Sequence, residues 1–213
     1  MTTMVLFDRD LITILFGVIG VYVLEYILHL SLGGLGFFET LFDSGIVFQV
    51  LLFVLSVVSI WRFSLGVHIQ RPSFTSLGMG AIGGISLSYV VFLLDSAFAS
   101  VSTTIVSTIL STGGVFFLVS VFLAPIVEEI FYRGVVYGQL RGSISIGRAL
   151  ILSSALFSLS HIHIFLQGGG IAHTVEAAVT LFVSGVVFGW LYMKYQSIFV
   201  AIAAHSVYNL IIL

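Results

Sequence analysis

The sequence has no cysteine, a single lysine and few charges of either sign. Without cysteine, disulfides, thiolate metal sites and a cysteine nucleophile are all excluded. The lone lysine, Lys194, sits at the edge of an apolar run, where a retinal-type Schiff base is implausible. Charged residues make up 8% of the 213, against about a quarter in a soluble domain. A net charge of −2 gives no hint of nucleic-acid binding.

What fills the chain instead is apolar. Hydrophobic residues account for 59% and the mean hydropathy is +1.23. The apolar residues come in runs long enough to cross a bilayer. Seven spans are predicted, at roughly 11–30, 45–64, 77–98, 113–140, 148–165, 174–194 and 197–213. The expected fold is an all-α polytopic membrane bundle of about seven transmembrane helices, with room for an extra interfacial helix or half-helix. The interfacial candidate is SLGGLGFFETLFD, from Ser31 onward, between the first two spans; SVSTTIVSTILST, between the third and fourth, reads as a loop or half-helix. Residues 1–213 read as a single transmembrane domain. The first span is not followed by a small-residue cleavage site and is expected to be retained.

Basic residues set the expected orientation. Arg9, Arg62, Arg71, Arg141, Arg148 and Lys194 all fall on one side of a seven-span chain, and Glu39 and Asp43 fall on the other. This predicts a multi-pass protein of the cell membrane, with its amino terminus cytoplasmic and its carboxyl terminus outside. Gly80 with Gly84, and Gly185 with Gly189, have the small-xxx-small spacing that lets helices approach closely; the alternative is that glycine is simply common in membrane helices.

Against this background APIVEEIFYRG, residues 124–134, stands out, because charge inside a span is costly and tends to mark function. Glu129 and Arg133 are four apart on one helical face, in the favourable order for an ion pair. Glu128 has no basic residue at that spacing and is left to act as a base. A purely structural ion-pair network is the alternative. Depth favours a site. Glu128 is 13 residues from Arg141, His161 is 13 from Arg148 and His205 is 11 from Lys194. At 1.5 Å per residue all three lie roughly 17–20 Å from the cytoplasmic boundary. Asn209 is one turn beyond His205 and Phe157 one turn before His161.

A glutamate and a histidine can together deprotonate water, while a second histidine and an amide can donate to an oxyanion. That is equipment for hydrolysing an amide. Two histidines and a carboxylate, here Glu128, His161 and His205, are also a zinc-ligand set with one position open. The metal-free version is preferred, because asparagine is a poor zinc ligand and a natural oxyanion donor. HExxH is absent, and so is GxSG, the nearest stretch being FVSG at Phe182–Gly185. An aspartate pair is missing too, since only Asp95 falls within a span.

Three ordered motifs carry a resemblance: EEIFYR at Glu128–Arg133, FSLSH at Phe157–His161 and HSVYN at His205–Asn209. The chain resembles the CAAX protease and bacteriocin-processing family, also called the abortive-infection family of type II CAAX prenyl endopeptidases, with its EExxxR, FxxxH and HxxxN pattern. The resemblance covers roughly 113–213, the expected catalytic core. It implies an intramembrane endopeptidase in which Glu128 and His161 activate water and His205 and Asn209 form the oxyanion hole. Glu129 and Arg133 would brace the site and Phe157 would pack against it. No cofactor is implied, although the family is often labelled metalloprotease. The implied partner is a membrane-associated peptide or protein, CAAX-like or other. Tyr132, where the family commonly has Phe, could add a hydrogen bond near Glu128.

Two other functions share these features: a non-catalytic immunity or chaperone-like membrane factor, and an ion-coupled carrier. The intact motif set argues against the first, and the scarcity of charge at the outer ends of the spans against the second. His163, facing another side from His161, is expected to be non-catalytic. His173 follows the break Gly168–Gly169–Gly170 and is expected in a loop. Asp95 and Glu176 are expected near the outer edge and hydrated.

Overall fold

The computed structural model describes residues 9–32, 35, 41, 45–65, 67, 70–98, 114–161 and 170–212. These form seven helices and no strand: α1 (Arg9–Leu32), α2 (Ile46–Phe63), α3 (Phe74–Phe98), α4 (Gly114–Ser143), α5 (Ile146–Ser160), α6 (Gly170–Tyr195) and α7 (Ile198–Ile212). Each predicted span overlaps one of them, although residues 162–165 of the fifth lie outside the described residues. Five are long and apolar enough to cross a membrane, whereas α5 and α7 have 15 residues each. Fifteen residues rise only about 22 Å, short of a hydrocarbon core about 30 Å thick. Most of the stretch between α1 and α2, all of residues 99–113, and His68, His163, Gly168 and Gly169 lie outside the described residues, as do the side chains of Asp95 and His173.

The chain falls into two compact units, residues 1–67 with 107–145 and residues 68–106 with 146–213. In the first, α2 packs against both α1 and α4. The buried side of α2 carries Gln49, Leu52, Ser56 and Ser59, a helical stripe that is mostly polar. In the second unit α3 packs along α7, and α6 packs on α3, α5 and α7.

Local chemistry sets several helix ends. Ser73 caps α3 by accepting the Ser76 N–H at 3.1 Å. Gln196 takes a left-handed conformation, φ 49°, in the tight turn between α6 and α7. The next residue ties that turn down, since the Ser197 hydroxyl donates to the Gln70 carbonyl at 2.8 Å.

The α3–α7 pairing depends on glycine. A Cβ at Gly80 would lie 2.6 Å from the Val200 carbonyl oxygen, and one at Gly84 would collide with the Ala204 carbonyl oxygen. The Gly80/Gly84 spacing thus marks a close helix contact, as expected. Gly185 has a similar role on α6: its Cβ would stand 3.1 Å from the Ser154 Cβ and 3.3 Å from the Phe157 ring.

Candidate functional site

The acidic motif lies on a helix that is not regular. Within α4, Val119–Leu123 and Ile130–Val136 are π-helical and flank an α-helical Ala124–Glu129. The N–H groups of Ala124 and Tyr137 reach carbonyls five residues back, at Val119 and Tyr132. Pro125 follows the first π segment, and its ring would crowd the carbonyl four residues earlier in a regular helix; the wider turn gives it room. Each π turn rotates everything beyond it, and such turns recur at functional sites.

Glu128 and Glu129 are adjacent and so point about 100° apart on the helix. Both are buried by protein, at 6% and 0% exposure. Glu129 meets Arg133, itself 1% exposed, with Nε 3.0 Å from Oε2. That short contact is an ion pair whose N–H is not aimed at the oxygen; the aligned hydrogen bond runs from Nη2 to Oε1 at 3.4 Å. Glu128 turns instead to α2, where Gln49 Nε2 donates to its Oε1 at 2.9 Å. Tyr132 is buried in the same stretch, its ring edge-on to Phe131.

Gln49 was missed by the sequence reading, which weighed charges and histidines only. A signal was present. Gln49 precedes Arg62 by 13 residues, the same interval that separates Glu128 from Arg141. An amide within an apolar span, level with a carboxylate on a helix running the same way, is a candidate neighbour.

The second unit holds the histidines. His161 occupies the turn that ends α5, and its Nδ1 lies 2.8 Å from the Phe157 carbonyl. An acceptor at that distance keeps the proton on Nδ1, so the neutral ring presents Nε2 as its lone pair. Ser160 reinforces this choice: its hydroxyl donates to the same carbonyl at 2.7 Å and lies 3.3 Å from Nδ1. His205, 4% exposed on α7, is clamped between aromatic rings. Phe188 of α6 stacks on it at 4.5 Å and 17°, and Phe157 meets it edge-on at 5.8 Å. Phe157 also lies 4.8 Å from the His161 ring, so one phenyl group touches both imidazoles. Asn209 is half-buried one turn after His205. Phe188 is a second residue the sequence reading missed, and nothing in its local pattern sets it apart.

Glu176 corrects an expectation. It is 8% exposed, so its side chain is buried in the protein rather than hydrated. As the seventh residue of α6 it turns inward, toward the side of that helix covered by its neighbours.

Residues 110–211 match the family model described as Type II CAAX prenyl endopeptidase Rce1-like. Over this stretch, a little under half of the chain, the protein is similar to the Rce1-like family. No curated protein and no solved structure gives a significant match. The Rce1-like segment runs from just before α4 into α7 and contains all three motifs. The family likeness implies a protease, and the helices a multi-pass membrane protein.

Proposed function

We propose that the protein is a glutamate-type intramembrane endopeptidase that cleaves prenylated, CAAX-type carboxyl termini, with residues 113–213 as its catalytic core. Glu128 and His161 take a proton from water as it attacks the scissile carbonyl. His205 and Asn209 donate hydrogen bonds to the oxyanion of the tetrahedral intermediate. Collapse of that intermediate breaks the C–N bond, and the proton held by the Glu128–His161 pair goes to the leaving amine. Glu129 and Arg133 hold the helix that carries Glu128. The amino terminus is cytoplasmic, which opens the site to substrates on that side.

The observation that carries this reading is the family match over 110–211, a stretch that includes Glu128, His161, His205 and Asn209. Two local features support it. His161 offers Nε2 as a proton acceptor, and Glu128 is a buried carboxylate oriented by a neutral amide. A divalent metal such as zinc on Glu128, His161 and His205 is the competing mechanism. Asn209 favours the version without metal, because its amide is a better hydrogen-bond donor than ligand.

The test is cleavage of a farnesylated CAAX-type peptide by purified protein in proteoliposomes. Wild type should cut it, and Glu128→Ala should lose roughly 10²–10⁴-fold in kcat while eluting and melting as wild type does. Chelator should leave the wild-type rate unchanged, with less than stoichiometric metal by elemental analysis. A Glu128→Ala protein as active as wild type would end the proposal; activity that dies with chelator and returns with zinc would move it to the metal mechanism.

A further inference from the structure

Gln49 lies outside the matched residues and belongs to no motif, yet its side chain reaches from α2 to the Glu128 carboxylate. It is 79 residues away in sequence and 6% exposed. An amide in an apolar helix must find partners for its donors and its acceptor, or its burial is unfavourable. Half of that requirement is met, by the 2.9 Å bond from Nε2 to Glu128 Oε1. The other half is not, since Gln49 Oε1 is buried without a hydrogen-bond partner among the described residues. Ser56, two turns further on, satisfies itself on the Leu52 carbonyl and makes no such demand.

We propose that Gln49 is a positioning residue for Glu128 and that its orphaned carbonyl oxygen anchors an O–H donor beside that carboxylate, the nucleophilic water. The amide holds one carboxylate oxygen, Oε1. It faces Glu128 with its N–H group, the only orientation in which a neutral amide complements an ionised carboxylate. A water held by Gln49 Oε1 then has a fixed orientation before substrate arrives. The effect falls on the chemical step and not on substrate binding.

This inference rests on the catalytic reading of Glu128, and two variants separate the two. Gln49→Met keeps length and apolar burial but removes donor and acceptor. It is expected to lower kcat at least tenfold on the farnesylated peptide, with KM within about twofold. In a Glu128→Ala background the same change should cause no further loss, because the water that Gln49 orients then has no carboxylate beside it to take its proton. A readout independent of activity is the infrared carboxylate band that disappears in Glu128→Gln; it should move in Gln49→Met. A folded Gln49→Met protein with an unmoved band or an unchanged kcat overturns the inference. So does a Gln49→Met loss that multiplies with that of Glu128→Ala, the mark of a packing role. If the band moves but Glu128→Ala is fully active, the contact holds and the catalytic reading fails. If Glu128→Ala is inactive and Gln49→Met is not, the reverse is true.

Discussion

At the scale of single residues, the Arg133–Glu129 pair has the clearest energetic signature. Both partners are essentially without exposure, so removing one leaves a buried charge uncompensated. Arg133→Met should lower stability by about 3–5 kcal/mol. The measurement is thermal unfolding in detergent, and Glu129→Gln/Arg133→Met should recover much of the loss because both charges have gone. A single variant as stable as wild type would mean that the pair is not holding the helix. Glu128 differs in kind. The contact described for it is with a neutral amide, Gln49, which orients the carboxylate.

At the scale of elements, the α3–α7 contact and the interrupted α4 do most to place the motif residues within their units. Without Cβ atoms at Gly80 and Gly84, α7 can lie directly on α3, and that contact spans Val200 to Tyr208, around His205. Gly84→Ala would drive a methyl group into the backbone at Ala204, which cannot swing aside as a long side chain can. A loss of about 1–3 kcal/mol is expected, seen as a lower melting temperature. Gly78→Ala on the same helix meets nothing within 4 Å and should be neutral or slightly stabilising. Equal effects at the two glycines would contradict the close approach. The π segments act on α4 from within, turning the faces on either side of Ala124–Glu129 relative to a regular helix.

At the scale of the molecule, the distribution of basic residues predicts a cytoplasmic amino terminus. The Lys194 ammonium lies 4.6 Å from the Trp190 ring and 5.4 Å from the Tyr195 ring, a cation–π grouping suited to a membrane interface. The cysteine-free sequence allows a direct test. Gly114 and Gly142, toward opposite ends of α4, are both exposed, with nothing within 4 Å of a Cβ. Gly114→Cys should react with an impermeant maleimide on intact cells, and Gly142→Cys only after permeabilisation. The opposite pattern would invert the topology and place the carboxyl terminus in the cytoplasm.

Much of this was legible in the sequence because the deciding interactions are local or compositional. Apolar runs of membrane-crossing length require helices, since only a helix satisfies its backbone within one segment. The Glu129–Arg133 pair follows from four-residue spacing, and the Gly80/Gly84 contact from a repeat on one face. By itself the sequence determined the seven helices, their order and the three motifs. Only the tertiary structure decided that Gln49 holds Glu128, that Phe188 lies over His205, that α4 opens into π turns around the glutamates, and that Glu176 is buried. The physical reason is range. A helix forms from contacts three to five residues apart, but which side chain meets it across a packed interface depends on rotation and depth that no local pattern encodes.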